Sequence, residues 1–192
     1  MTATDASEKK SPAIRSARRR AREFALQGLY QWLVGGADAA AVEDELQERE
    51  MRRGETNESA NESATESTRH PARATTQATA AERAAALARR ADMAHFRQVL
   101  HGAIDHAAEL RADFVPFIDR DIKQLSPVEH AILLIGSYEL KHCAEIPYRV
   151  VINEAVELAK SFGGAEGFKY VNGVLDRVAQ QLRATETERT AR

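Results

Sequence analysis

Hydrophobic positions recur with a helical period along most of the chain. At 100° per residue, Ala21, Phe24, Ala25, Gly28, Leu29 and Trp32 share one face, which predicts a helix from about Ala13 to Val34 that packs on a core. Leu26, Tyr30 and Leu33 continue an adjacent face, and Gly35-Gly36 ends the helix. Asp38 is placed to cap a shorter helix containing Val42 and Leu46. The period returns with Phe96, Val99, Leu100, Ala103, Ile104 and Ala107. A new start after Asp113 carries Phe114, Phe117, Ile118, Ile122 and Leu125, with Pro116 tolerated in a first turn. Ser126-Pro127-Val128-Glu129 reads as a capping box with proline at the first helical position. Ala131 to Ile135 is apolar all round, as a central buried helix would be. Ile146-Pro147 interrupts it. Val151, Ala155, Leu158, Ala159 and Phe162 form the next stripe, closed by Gly163-Gly164, and Phe168, Val171, Leu175, Val178 and Leu182 form the last. No strand alternation or hairpin signal competes. The pattern predicts an all-α protein of about seven helices in two packed helical bundles.

Three stretches lack the pattern. Residues 1–14 and 184–192 are polar and are expected to be a flexible N-terminus and a flexible tail, flanking a folded domain over 15–183. Within that domain, Gly54 to Ala81 has alanine as its only hydrophobic residue and repeats NESA at Asn57–Ala60 and Asn61–Ala64. Such a segment cannot bury enough apolar surface to offset its ordering entropy, so 54–81 reads as a disordered insertion. The acidic run before it (Glu43, Asp44, Glu45, Glu48, Glu50) reads as a solvated face and linker.

Composition narrows the function classes. The 192 residues are 43% hydrophobic and 29% charged, which suits a globular domain with a sizeable core. A net charge of −2 means that any nucleic-acid site must be a local patch. The single cysteine, Cys143, excludes an internal disulfide and a Cys-rich zinc site, and fits a reducing cytoplasm. No stretch is apolar for long enough to span a membrane, and the first 22 residues lack the apolar core of a signal peptide. Asp5 and Glu8 argue against a transit peptide.

Signs of catalysis are few. P-loop, GxGxxG and HExxH patterns are absent. His101, Asp105 and His106 invite comparison with metal ligands, but histidines at i and i+5 point about 140° apart on a helix. His142 and Cys143 are adjacent and do not face each other, which favours an inert buried cysteine. No metal, no cofactor and no enzymatic activity are expected. The Gly163–Gly167 stretch fits either a phosphate cradle at a helix N-terminus or an ordinary glycine cap and turn.

The basic residues say more. Lys9, Lys10, Arg15, Arg18, Arg19, Arg20 and Arg22 lie between Glu8 and Glu23 with no acid among them. Arginine presents planar, bidentate donors suited to phosphate and base edges, and arginine-rich segments often order on RNA. A frayed, solubilising terminus accounts for the charge equally well. Tyr30, further along the same face, adds a ring able to stack on splayed bases, or simply half-buried at a helix contact.

Ala17–Glu23 (ARRRARE), followed by Ala25, Gln27 and Leu29-Tyr30, resembles the arginine-rich first helix of the NusB family. Tyr148–Gly163 (YRVVINEAVELAKSFG) and Lys169–Asp176 (KYVNGVLD) are similar to that family's C-terminal signature, and Leu125–Leu140 to its central helix. The likeness covers roughly residues 15–50 and 90–183, with 54–81 as an addition. It implies the NusB fold of two helical subdomains and a role in transcription antitermination rather than catalysis. In that role the protein binds boxA single-stranded RNA of ribosomal RNA leaders together with NusE, and joins NusA, NusG and RNA polymerase. By matching position, Arg18, Arg19, Arg20 and Arg22 inherit RNA contacts. So do Lys169 and Tyr170, with Lys160 nearby and Glu166 at a position where an acid modulates affinity. Tyr30 and Glu129 match positions that face NusE, although a capping-box glutamate also serves its own helix. Asn153-Glu154 and Asn172-Gly173 are expected to be structural. Two other readings stay open: the binding module of a ribosomal RNA cytosine methyltransferase, whose catalytic part is absent from this sequence, and a protein that binds NusE without RNA. A helix-turn-helix DNA binder fits poorly, because the basic cluster lies outside a recognition helix.

Overall fold

The computed structural model describes residues 12–49, 52 and 92–190, apart from the side chains of 12–16 and 189–190. The 54–81 insertion, residues 1–11 with Lys9 and Lys10, and the side chain of Arg15 therefore lie outside the described residues. Helix α1 spans Pro12–Gly35, and α2 includes residues 39–49. They are followed by α3 (Met93–Asp105), α4 (Ala107–Phe114), α5 (Pro127–His142), α6 (Tyr148–Phe162), α7 (Gly167–Leu182) and α8 (Ala184–Thr190). Short 3₁₀ turns at Val115–Phe117 and Ile122–Gln124 bridge α4 to α5. All regular structure among the described residues is helical. Among them, no helix is long and apolar enough to cross a membrane.

The stop signals work as their chemistry requires. Gly36 adopts φ +63°, a conformation that costs glycine little, and its N–H donates to the Trp32 carbonyl. Asp92 caps α3 by accepting from the His95 N–H at 3.0 Å. Ser126 and Glu129 form the expected reciprocal box at the start of α5: the Ser126 Oγ accepts the Glu129 N–H at 3.1 Å, and the Glu129 carboxylate accepts the Ser126 N–H at 3.3 Å.

Helices α1–α4 and α5–α7 form two groups that share one continuous apolar core. The contacts run α1 on α3, α1 on α5, and α5 against both α6 and α7. Helix α5 is the axis: every residue from Ala131 to Leu140 is buried. Gly136 sits where a Cβ would fall 2.6 Å from Leu175, so glycine is what lets α5 and α7 approach.

Helix α1 begins at Pro12, beside the start at about Ala13 that the periodicity predicts, so 12–14 belongs to the helix rather than to the N-terminal segment. Two expectations change. The polar tail from Ala184 is helical as far as Thr190. Glu43, read as part of a solvated acidic face, is an inter-helix tie that accepts from Arg97 Nε at 2.5 Å and lies 2.6 Å from His101 Nε2. His101 therefore faces α2 rather than Asp105 or His106.

Candidate nucleic-acid interface

The arginine-rich turn of α1 divides into an outer and an inner set. Around the helix, Arg22 stands within about 40° of Leu26 and Leu29, both of which are buried, so it falls on the core face of α1. Its side chain is 3% exposed, its Nε lies 2.9 Å from both carboxylate oxygens of Glu139, and its Nη2 meets Oε1 at 2.9 Å. Glu154 of α6 approaches the same guanidinium at 3.6 Å, and His95 Nε2 of α3 sits 2.8 Å from Glu139 Oε1. Burial pushes the Glu139 carboxyl up, but Arg22 and His95 together outweigh it and hold it below the usual carboxylate range. Arg22 is thus an internal pin joining α1, α3, α5 and α6, with its side chain buried away from solvent. Its expected RNA contact does not fit this placement, and Glu154, expected to be structural, belongs to the same pin.

The outer arginines remain accessible. Arg18 pairs with Asp92 at 3.6 Å. Arg19 reaches Glu23 at 3.8 Å and Glu157 of α6 at 3.6 Å. Arg20 is half-buried, has no ion pair among the described residues, and has a buried Nε without a hydrogen-bond partner.

From Arg19 a continuous surface leads to the C-terminal signature. Glu157 accepts from Lys160 Nζ at 2.7 Å, and that hydrogen bond holds the Glu157 carboxyl below its ordinary value. Lys160 Nζ lies 5.7 Å from the centroid of Phe168, and Lys169 Nζ lies 5.8 Å from the same ring. Lys169 in turn pairs with Glu166 at 2.6 Å. Lys160, Glu166 and Lys169 are all exposed. The end of α6 and the start of α7 therefore bring Lys160 and Lys169 over one aromatic ring, with Glu166 paired to Lys169.

Tyr170 is placed differently. Like Phe168 it is half-buried, but its hydroxyl oxygen is buried without a hydrogen-bond partner and the Arg120 guanidinium lies 4.5 Å from its ring centroid. Burial raises its phenol pKa. Its ring is covered by an arginine, whereas Phe168, which periodicity assigned to the core stripe of α7, carries the two lysines. Sequence reasoning missed Phe168 because a residue at the stripe's edge looks the same as one inside it. Arg120 lies in a loop between Asp119 and Asp121 and gives no signal in the sequence.

The two residues expected to face a protein partner are Tyr30 and Glu129. Tyr30 is 43% exposed on α1. Glu129 is half-buried, engaged in its capping box, and stands against Gly167, where a Cβ would fall 3.1 Å from Oε1. One turn beyond Tyr30, Leu33 lines a groove of about 410 Å³ with Arg111, Ile122, Lys123, Pro127 and His130. The Arg111 guanidinium stacks on Trp32 at 5.5 Å and donates from Nε to His130 Nε2 at 3.1 Å. Burial, then the Arg111 charge, lowers the His130 pKa to about 4, so the ring is neutral and accepts that hydrogen bond. Cys143 is buried as expected, with its thiol pushed up to about 12 by burial.

Comparison with known proteins agrees with this architecture. The family model "NusB family" matches residues 60–180. The transcription antitermination protein NusB of Ralstonia nicotianae is 48% identical over 186 residues, covering 97% of each chain. Its namesake in Bordetella pertussis is 47% identical over 178 residues, 93% of this chain and 95% of its own. The solved structure of T. maritima NusB superposes with a TM-score of 0.59 at 22% identity, covering 93% of this chain and 99% of its own. With all-helical architecture, signature residues and relatives in accord over nearly the full length, the chain belongs to the NusB family.

Proposed function

We propose that this protein acts in transcription antitermination by binding single-stranded boxA RNA of ribosomal RNA leaders in company with NusE, as a recruiting factor without catalytic activity. The complex then assembles with NusA, NusG and RNA polymerase in the cytoplasm. The observation that carries the reading is the chain of contacts from the partly exposed Arg19 of α1 through the exposed Lys160 to the half-buried Phe168 and the exposed Lys169 of α7. Cations spaced along such a surface attract the phosphate backbone, and an accessible ring offers a platform for an unstacked base. The relatives' shared name supports the antitermination role. Tyr30 and the groove beside it are the proposed contact for NusE, with Glu129 serving both its helix cap and that partner. Arg18 and Arg20 extend the RNA track. Tyr170 supports the surface from beneath Arg120, and Glu166 restrains Lys169 until RNA competes for it. Fluorescence anisotropy with a boxA oligonucleotide and a shuffled one, each with and without NusE, tests the reading. Preference for boxA that strengthens with NusE is expected. Equal binding of both sequences under both conditions contradicts it.

A further inference from the structure

His101, Asp105 and His106 do not converge, but the fold assembles a different set of metal-ligating side chains. The break between α3 and α4 falls at His106, whose backbone (φ −98°, ψ 13°) ends one helix and starts the next. Glu109 lies three residues on, and its Oε2 is 3.2 Å from His106 Nδ1. His142, the last residue of α5, brings its ring to 4.6 Å from the His106 ring, centroid to centroid. Tyr138 stacks on His142 at 4.9 Å and fixes that ring from one side. This packing depends on Gly102, where a Cβ would fall 2.2 Å from the Tyr138 ring. One nitrogen from each histidine and one Glu109 oxygen all lie within 4.8 Å of one another, on the surface and open to solvent.

We propose that His106, Glu109 and His142 form a binding site for a borderline divalent transition-metal ion such as Zn²⁺. Two imidazoles and a carboxylate are a donor set that Zn²⁺ accepts, with a further position left for water. Metal–ligand bonds of about 2.0–2.2 Å require donor atoms roughly 3.3 Å apart, so the three side chains must close by about an ångström. With His142 held by Tyr138, the exposed His106 and Glu109 side chains close that gap by small rotamer changes. Lys141 Nζ now holds Glu109 Oε1 at 2.8 Å and Asp113 Oδ2 at 2.7 Å. It keeps Asp113 as a partner when Glu109 turns to the metal. The bound ion would clamp the start of α4 to the end of α5.

Calorimetric titration of the untagged full chain with ZnCl₂ at neutral pH tests the site. Saturable uptake of one ion per chain is expected. The double substitution His106→Asn with His142→Asn should weaken it by at least about tenfold, because losing direct ligands costs no less than losing their supports. His101→Asn should leave it unchanged. No saturable uptake, uptake that survives the double substitution, or equal loss in the His101 variant overturns the proposal. A second measurement needs no substitution. Co²⁺ should broaden the ring resonances of His106 and His142 in the unaltered protein, and broadening confined to other histidines overturns the assignment.

Discussion

At the scale of single residues, charge has different meanings inside and outside the fold. Arg22 sits in the same run as Arg18, Arg19 and Arg20, yet is buried against Glu139 and Glu154. Removing one partner of a buried pair strands the other, at a cost of roughly 3–5 kcal/mol. Arg22→Ala is therefore expected to lower stability by about that amount in urea denaturation, whereas Arg19→Ala, on an exposed pair, should change it by less than about 1 kcal/mol. His130 supplies a pH prediction. Its folded pKa of about 4 lies below its ordinary 6.5, so between those values the unfolded chain binds the proton and the folded one does not. Stability contributed by His130 is complete above pH 6.5, falls as pH drops towards 4, and levels below that. Chemical denaturation across this range should show a shallower decline for His130→Gln than for the unaltered protein, and NMR titration should find the His130 ring neutral at about pH 5.5, between the folded and unfolded values. A ring titrating near its ordinary 6.5 contradicts the account. The internal role of Arg22 was not legible in the sequence, since nothing local shows that Glu139, 117 residues away, would meet it.

At the scale of elements, the helices were legible because their apolar stripes and stop signals agree. Ser126 with Glu129, Gly36 and Asp92 each do locally what their chemistry favours. The C-terminal helix was not, because its sequence is polar and its order comes from distant partners. Arg183, between α7 and α8, donates to the carbonyls of Glu139, Leu140, Cys143 and Ile146 at 2.6–2.9 Å, tying the end of α5 and the turn after it to the end of α7. Glu186 of α8 accepts the Tyr148 N–H at 3.0 Å, placing a carboxylate at the N-terminus of α6, which has no side-chain cap of its own. Two side chains from the polar end thus close two core helices. Arg183→Ala is expected to cost about 2–3 kcal/mol, the scale of hydrogen bonds to a charged group, as read from the denaturation midpoint. Ser126→Ala should cost about 1 kcal/mol. A neutral Arg183→Ala would show that the cap contributes nothing in solution.

At the scale of the molecule, the candidate interface arises only when α1, α6 and the start of α7 are brought together. Residue type and resemblance pointed to Arg19, Lys160, Glu166 and Lys169 separately, and the fold makes them neighbours through Glu157 and Phe168. Those two residues were not legible as site residues: Glu157 is one more glutamate on an amphipathic helix, and Phe168 one more apolar position in a stripe. Phe168→Leu, which keeps an apolar side chain against the core, should weaken boxA binding by about 1–3 kcal/mol, the contribution of a stacked base, in a protein that still folds. The central claim is that the Arg19–Lys160–Lys169 surface grips the RNA backbone, and the salt dependence of boxA binding tests it most directly. Replacing those three residues with glutamine should reduce the slope of log K against log salt by about 0.7 for each phosphate no longer neutralised, or about 2 in all. An unchanged slope in the folded triple variant would contradict the account and put the RNA on another face.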